Sequence, residues 1–431
     1  MRTYRIGIVG FGAIGSVHAW AHASLSYYYN PLPFRTRIVA VATAHPQTAA
    51  AAAAVCGAEH FSDDYRTVTE SSDVDIVHIC SPNNEHYQQL ASAIAHEKHI
   101  YCDKPLVSSW SEVESLLPAL STYRQRLGMA FQLRFFPATV RAAHLVAEGR
   151  IGRVLSFRIS YLHAGSADPD APAKWKLTRS AGGGVIADLA SHAVDLLAAL
   201  GGEPVEMTAQ SSIAYATRPA VEDPAHRVPI DAEDHVVALV RARFGATEPA
   251  LGSVEATKLA TGSEDELRFE IHGSSGALRF NTMAPHRLEF YDATRDAEPM
   301  GGERGWLAIE TGQRYPRPTA PFPGPKFAIG WIRSHLASIA DFLFALHEGR
   351  EHRPGAADGI YAQHLIDCLR KSCTDGRTVF PMSREETANL LSGDSESDVE
   401  PLPHQSKPPS DATSGAAAES TPASAPRVDP Q

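Results

Sequence analysis

Lys104 lies at the end of a short apolar run, between Asp103 and Pro105. A lysine held at a strand end places an ammonium group where a substrate oxygen gains negative charge, and fixed charges of this kind stabilise the transition states of reactions at hydroxyl groups. In most proteins, however, a loop lysine is only a solvated surface charge. The catalytic interpretation of Lys104 therefore depends on the motifs on either side of it.

A glycine-rich run at residues 182–184 leads into a predicted helix that carries Asp188, His192 and Asp195. Asp188 and His192 are four residues apart, so their side chains share one face of the helix. A neutral imidazole accepts a proton from a hydroxyl, and a carboxylate orients a sugar diol. The structural alternative is that Asp188 stabilises the helix N-terminus and His192 is a core residue. Two ligands without a supporting cluster predict no metal site.

A phosphate-binding pattern, G-x-G-x-x-G, precedes Lys104 and stands between an apolar run and an Ala-rich stretch. In this strand-to-helix context the glycines permit a tight turn and a close approach of a pyrophosphate, and the helix N-terminus supplies free N–H groups. The pattern predicts that a dinucleotide binds at six consecutive residues, which are Gly10, Phe11, Gly12, Ala13, Ile14 and Gly15.

Strand-like runs alternate with helical stretches through residues 1–130, which we therefore assign to a Rossmann domain with a doubly wound parallel sheet. Ligands bind such sheets at the carboxyl ends of the strands. Gly10, Thr43, Ser81 and Lys104 all fall at such ends. The predicted strands are residues 4–9, 37–42, 75–80, 99–102 and 127–131.

Many consecutive strand-like runs with few helices follow, and they predict an α+β domain with a large open, mostly antiparallel sheet over residues 131–385. Residues 393–431 are acidic and rich in Ser, Pro and Ala, which predicts disorder. The aromatic residues 27–34 are interpreted as a lid, a packing patch for a second subunit or an insertion folded onto its own domain. The predicted strands are 154–162, 206–214, 234–244, 252–260, 267–273 and 276–281, and the predicted helices are 137–148, 182–200, 327–348 and 356–375.

Composition excludes several classes of partner. The 431 residues carry a formal net charge of −11 and no basic cluster, so neither nucleic acid nor an anionic membrane surface is an expected partner. No apolar stretch is long enough to span a membrane. The five cysteines stand singly, without metal-ligand spacing, and no apolar leader precedes the first strand. A cytoplasmic location is therefore expected.

These motifs together resemble the glucose-fructose oxidoreductase, inositol dehydrogenase and MocA-like family (Gfo/Idh/MocA) over roughly residues 3–382. The resemblance implies an oxidoreductase that moves hydride between a nicotinamide cofactor and a carbinol carbon of a sugar, polyol or glycoside. It also implies a homodimer or homotetramer. The segments that carry it are the glycine motif with the His18-Ala19 pair, SPNNEH at 81–86, DKP at 103–105, FQLRFFP at 131–137 and the run 182–195.

The resemblance also implies roles for individual residues. Lys104 would contact the reacting hydroxyl and the cofactor, His192 would act as acid and base, and Asp188 would help to bind the substrate. Expected cofactor contacts are Ser81, Pro82, Asn84, His86 and Asp103. Expected substrate contacts are Arg134, Trp175 and Lys176, with Tyr161 and His163 as weaker candidates.

The chain departs from the family's pattern at three places. Asp103 replaces a usual Glu, and Gln132 replaces a usual Asn. At the end of the second strand, Thr43-Ala44-His45 stands where NAD-using members place an acid on the ribose. Thr43 and His45 are compatible with either ribose, because both the acid and the arginine that binds a 2′-phosphate are missing. The expected cofactor is NAD or NADP, with a slight preference for NADP.

Two alternatives use the same residues. A glycosidase that oxidises C3 transiently, eliminates the aglycone and recycles its cofactor needs the same base and cation. A sensor that binds dinucleotide and sugar without turnover is the third hypothesis, although the presence of both Lys104 and His192 disfavours it.

Overall fold

Six parallel strands form the first sheet, in the order β3-β2-β1-β4-β5-β6. The computed structural model describes residues 1–316 and 318–392, so the predicted tail at 393–431 lies outside the described residues. The strands are β1 Arg2–Val9, β2 Phe34–Ala42, β3 His60–Ser62, β4 Ile76–Ile79, β5 His99–Cys102 and β6 Leu127–Met129. The helices between them are α1 Ala13–Tyr28, α2 Pro46–Cys56, α3 Arg66–Thr69, α4 His86–Ala95 and α5 Trp110–Thr122.

The order of the strands creates a binding crevice. β1 pairs with β2 on one side and with β4 on the other, so the chain runs in opposite directions from the centre of the sheet. Ligands of doubly wound sheets bind at this switch point, outside the carboxyl ends of the strands. The predicted Rossmann fold is therefore confirmed, although β3 was not among the predicted strands.

The second sheet has eight strands in the order β16-β15-β14-β13-β7-β12-β11-β8, and β7 and β12 are its one parallel pair. This confirms the predicted mostly antiparallel sheet. A separate two-stranded sheet pairs β9 with β10. The strands are β7 Val154–Leu162, β8 Gly202–Ser212, β9 Thr217–Pro219, β10 Arg227–Pro229, β11 His235–Phe244, β12 Ala250–Thr257, β13 Glu266–Gly273, β14 Gly276–Asn281, β15 Arg287–Asp292 and β16 Trp306–Glu310.

Five helices complete the described part of the second half. A π-helical turn at Ile186–Ala190 runs directly into α7. Such turns widen the helix locally and occur frequently at functional sites. The α-helices are α6 Pro137–Ala147, α7 Ser191–Ala199, α8 Trp331–Glu348, α9 Ala356–Asp375 and α10 Arg384–Asn389.

The two halves of the chain contribute side chains to one hydrophobic cluster. Leu336, Ile339 and Phe342 of α8 lie in one hydrophobic cluster with Tyr4 and Ile6 of β1. The chain thus returns to the first sheet after completing the second, and the described residues form one compact unit. The domain limits at residues 130 and 385 stay predictions.

The aromatic segment at residues 27–34 packs against its own chain. Tyr29 is buried, and the ring of Tyr28 lies 5.7 Å from that of Phe322 and 4.9 Å from the Arg333 guanidinium. Among the described residues, no helix is long and apolar enough to cross a membrane.

Candidate active site

A cavity of about 1110 Å³ lies where the carboxyl ends of the first sheet face the second half of the chain. The glycine loop and the ends of β1, β2, β4 and β5 form one side of it. The ends of β7 and β12 and the segments before α7 form the other. Predicted residues that line it are Gly10, Phe11, Gly12, Ala13, Ile14, Thr43, Ser81, Pro82, Asp103, Lys104, Tyr161, His163, Trp175, Lys176, Asp188 and His192.

The glycine loop has the geometry of a phosphate cradle. Gly10 has a φ of +86°, and a Cβ there would lie 2.6 Å from the backbone of Cys80. A Cβ on Gly15 would lie 2.1 Å from the Gly10 carbonyl oxygen, so this glycine permits close packing of the helix behind the loop. A Cβ on Gly12 would meet no atom within 4 Å, and no side chain caps the first turn of α1. The open position and the free N–H groups fit the pyrophosphate of a dinucleotide.

Alanine substitutions at Gly12 and Gly10 should have different effects on stability and on dinucleotide affinity. Gly12 has a φ of −76°, which alanine tolerates, so we expect Gly12→Ala to keep its stability and to lose roughly tenfold or more in dinucleotide affinity, about 1.4 kcal/mol. Gly10→Ala should lower the free energy of unfolding as well, by about 1–2 kcal/mol or more for the left-handed backbone alone. Urea denaturation and calorimetric titration with the dinucleotide measure the two effects separately. Unchanged affinity of Gly12→Ala would contradict the cradle.

Lys104 reaches from the first half of the chain to Asp188 in the second. Its Nζ donates a hydrogen bond to the Asp188 main-chain carbonyl and lies 3.2 Å from Asp188 Oδ1. The Lys104 side chain is only 12% exposed. Burial lowers the pKa of Lys104 below its ordinary value, and the negative charge of Asp188 opposes that change.

Asp188 also binds two further lysines. Lys176 Nζ lies 2.9 Å from Oδ1 and 3.1 Å from Oδ2, and Lys258 Nζ lies 2.9 Å from Oδ2. Burial alone would raise the pKa of Asp188, but the charges of Lys258, Lys104 and Lys176 outweigh it and hold that pKa well below its usual range. Asp188 is therefore a fixed anion at every working pH and not a proton acceptor.

His192 is buried one helical turn further along the chain. Its ring lies 6.0 Å from that of Phe131 and 5.8 Å from that of Tyr161. Burial, with the positive charge of Lys104 second, lowers the pKa of His192 well below its ordinary value. The imidazole is therefore neutral, and its Nδ1 has no hydrogen-bond partner in the described part of the chain. A neutral imidazole at the wall of the cavity has the form that a general base requires.

Five predicted site residues lie outside the cavity lining, namely Gly15, His45, Asn84, His86 and Arg134. His86 is placed behind the lining, where its ring nitrogens lie 2.9 Å from the Pro105 carbonyl oxygen and 3.0 Å from that of Ser81. It thereby connects two loops that do line the cavity. The Asn84 amide donates to Glu85, and His45 lies at the start of α2.

The structure does not bring Arg134 to the cavity. Its Nε donates to Asp195 Oδ2 at 2.8 Å, and its Nη1 donates to Asp358 Oδ1 at 3.1 Å. A buried guanidinium with two carboxylate partners holds neighbouring elements together, and removing one partner of such a network is strongly destabilising. Arg134, Asp195 and Asp358 therefore connect the 3₁₀ turn at Gln132–Phe135 with α7 and α9.

Among the lining residues that the sequence did not predict are Lys258, Asp265 and Asp63. Lys258 follows β12 directly, and Asp265 precedes β13. β12 runs parallel to β7 and β13 antiparallel to it, so both residues meet the end of β7 at the same edge of the sheet. The Tyr161 hydroxyl donates to Asp265 there at 2.7 Å. The predicted strand at residues 252–260 included Lys258, so no local signal marked it as a lysine at a strand end.

The fold and the site together define a nicotinamide-dependent oxidoreductase. Residues 4–131 match the model described as the oxidoreductase family, NAD-binding Rossmann fold, and residues 139–279 match the GFO/IDH/MocA C-terminal domain. The chain belongs to the Gfo/Idh/MocA family, as the motifs predicted.

Named relatives include dehydrogenases of sugars and polyols. Levoglucosan dehydrogenase of Pseudarthrobacter phenanthrenivorans is 33% identical, with 86% of this chain and 96% of that protein covered. Inositol 2-dehydrogenase of Rhizobium meliloti is 28% identical, with 88% and 99% covered. A solved levoglucosan dehydrogenase in complex with NADH and L-sorbose superposes with a TM-score of 0.81 at 32% identity, over 88% of this chain and 99% of that one. These names do not favour the glycosidase or the sensor alternative.

Proposed function

We propose that this protein is an NAD-dependent dehydrogenase that oxidises a CH–OH group of a sugar or polyol. The carrying observation is that Lys104 and His192 come from different halves of the chain and yet line one cavity with the glycine loop. A dinucleotide held at the glycine loop would have a cation and a neutral base close to it, as oxidation of a carbinol requires. The dehydrogenase names of the relatives support the same proposal.

Each residue has one task in the proposed reaction. When bound, the nicotinamide ring accepts the hydride from the carbinol carbon. His192 accepts the hydroxyl proton, and Lys104 stabilises the negative charge that grows on the oxygen. Asp188 orients Lys104 through two contacts and binds substrate hydroxyl groups. The ring of Trp175, which is 36% exposed at the cavity, packs against the apolar face of the sugar.

A panel of sugars and polyols, assayed with NAD by the absorbance of the reduced nicotinamide, tests this function. We expect NADH to accumulate with at least one member and the ketone product to form in equal amount. A protein that binds NAD but oxidises no member of a panel that includes levoglucosan, myo-inositol and sugar acids would contradict the proposal. Release of an aglycone from a glycoside without net NADH would contradict it as well.

The charges near the ribose end of the cavity favour NAD over NADP. Thr43, Ala44, Thr48, Asp63 and Tyr65 line this end, and the charged one is the acid Asp63. Asp63 stands beside Thr43, because Thr43 N–H donates to the Ser62 carbonyl at 3.1 Å. A 2′-phosphate would be repelled by this carboxylate, and none of the neighbouring lining residues is a cation that would offset the repulsion. This argument opposes the slight preference for NADP that was expected from Thr43 alone.

We therefore expect NAD to bind at least tenfold more tightly than NADP, which corresponds to about 1.4 kcal/mol. Asp63→Asn should reduce this difference mainly by improving the affinity for NADP, because the repulsion disappears. Calorimetric titration of both variants with both dinucleotides measures the four affinities. Equal affinities for NAD and NADP in the native protein would contradict the assignment.

A homodimer or homotetramer and a cytoplasmic location complete the proposal. Val237, Leu239 and Leu251 are exposed on neighbouring positions of β11 and β12, and a second copy of the chain would cover this apolar face. All five cysteines are free, which suits a reducing compartment. Analytical ultracentrifugation of the native protein and of Leu239→Glu tests the oligomer.

A further inference from the structure

Three ammonium groups converge on one carboxylate at the substrate end of the cavity. Lys104, Lys176 and Lys258 all lie within 3.2 Å of an Asp188 carboxylate oxygen. Lys104 and Lys258 are mostly buried, with side chains 12% and 9% exposed, whereas Lys176 is 47% exposed. Two of the three positive charges are therefore far from bulk water.

Asp188 cannot satisfy all of these donors. An ammonium group has three N–H donors, whereas a carboxylate offers about four acceptor positions, so the three lysines carry about nine donors. Lys104 directs one of its donors to the Asp188 main-chain carbonyl. Lys176 contacts both oxygens of the carboxylate. The remaining donors require acceptors from solvent or from a ligand in the cavity.

The charges that line the cavity are unevenly distributed. The acids Asp63 and Glu85 come from the dinucleotide-binding half of the chain. Arg218 adds to the positive end, where its Nη atoms donate only to main-chain carbonyls and its buried Nε has no hydrogen-bond partner among the described residues. At the substrate end the cations are Lys104, Lys174, Lys176, Arg218 and Lys258, and the acids are Asp103, Asp188 and Asp265.

An excess of two positive charges surrounds the place where the sugar would bind. An oxidised nicotinamide ring, when bound, would add one more positive charge to the cavity. Charges of one sign in a cleft with low-dielectric walls attract a ligand of the opposite sign and repel one another. A neutral polyol leaves this repulsion uncompensated, whereas a carboxylate on the substrate offsets it and accepts the remaining N–H donors.

We propose that the substrate is a sugar acid, an aldonate or a uronate, and that Lys258 determines this preference by binding its carboxylate. The inference rests on the proposed function, in which this cavity holds the sugar. Lys258 is suited to the role because it is the least exposed of the three lysines and contacts one oxygen of Asp188. Its position directly after β12 fixes the backbone, since Lys258 N–H donates to the Asp234 carbonyl at 2.8 Å.

Matched pairs that differ only in the acid group test the preference, for example glucuronate against glucose and galacturonate against galactose. We expect kcat/KM with NAD to be at least tenfold higher for the acid of one pair or more. Lys258→Met should reduce that ratio by about tenfold or more, because a hydrogen bond to a charged group is lost. Lys371→Met removes an exposed lysine of α9 outside the cavity and should leave the ratio unchanged.

Binding measured without turnover separates this inference from the proposed function. Thermal shifts with NADH and each member of a pair should show tighter binding of the acid, and Lys258→Met should abolish the difference. Selective, Lys258-dependent binding of acids without oxidation would overturn the dehydrogenase and keep the anion site. Neutral sugars oxidised as well as their acids, or an acid-to-neutral ratio that Lys258→Met leaves unchanged, would overturn the preference.

Discussion

Lys104→Met should lower kcat by about 10²-fold or more, because removal of one preorganised charge from the place where an oxyanion develops costs about that factor. Lys104 is mostly buried and held against Asp188, so its ammonium group needs little reorganisation when the substrate oxygen gains charge. Methionine retains the unbranched chain and removes the charge. Steady-state kinetics with the best substrate of the panel measures the effect.

The fold should survive this substitution. Asp188 keeps Lys176 and Lys258 as partners, so its charge does not become isolated. Thermal denaturation and titration with NADH should therefore differ little from the native protein, while kcat falls. The matched control is Lys371→Met, which removes a lysine from the exposed face of α9. A Lys104→Met enzyme with near-native kcat would show that this residue is not the catalytic cation.

His192→Asn should lower kcat by about 10²- to 10⁴-fold, the range for loss of a positioned general base. The pH dependence distinguishes a base from a packing residue. Burial and the charge of Lys104 hold the pKa of His192 well below its ordinary value of 6.5. The neutral, proton-accepting form is therefore present from alkaline pH down to well below 6.5, and kcat/KM should fall only below that range.

The pKa of His192 depends on the charge of Lys104. Lys104 lowers the pKa of His192, so Lys104→Met raises it, and the acid limb of the remaining activity should move to higher pH. The acid limb should be missing in His192→Asn. The pH profiles of kcat/KM for the three enzymes measure these limbs. A native profile that falls near pH 6.5, or an unchanged limb in Lys104→Met, would contradict the assignment of His192 as the base.

The periodic spacing of apolar residues was sufficient to predict most of the fold. β7 and β14 and the helix α9 occupy their predicted residues, because each has a regular apolar pattern and a clear turn at its ends. β3 has three residues and is mostly exposed, so no such pattern marks it. β16 is exposed along nearly its whole length and likewise carries no alternation.

The site was predictable where a residue stands in a local motif. Lys104, Asp188 and His192 do so, and the structure places all three at the cavity. Arg134 also stands in a motif, but its buried partners Asp195 and Asp358 are 61 and 224 residues away in sequence. Lys258 stands in no motif, and it reaches Asp188 because β12 packs against the π-helical turn at Ile186–Ala190. Contacts between elements that are distant in the sequence have no local signature.

Because α8 packs against the first half of the chain, its position determines where chimeras between this enzyme and its relatives can be joined. A chimera that joins residues 1–136 to the entire remainder of another member would replace Leu336 and Phe342, which pack on Tyr4 and Tyr101. The nucleotide-binding half would then lose part of its own core. The exchangeable segment begins with α6 and ends before α8, and it lies between two parts of the chain that share one hydrophobic core. Exchange of substrate specificity thus requires two junctions, one before α6 and one before Trp331.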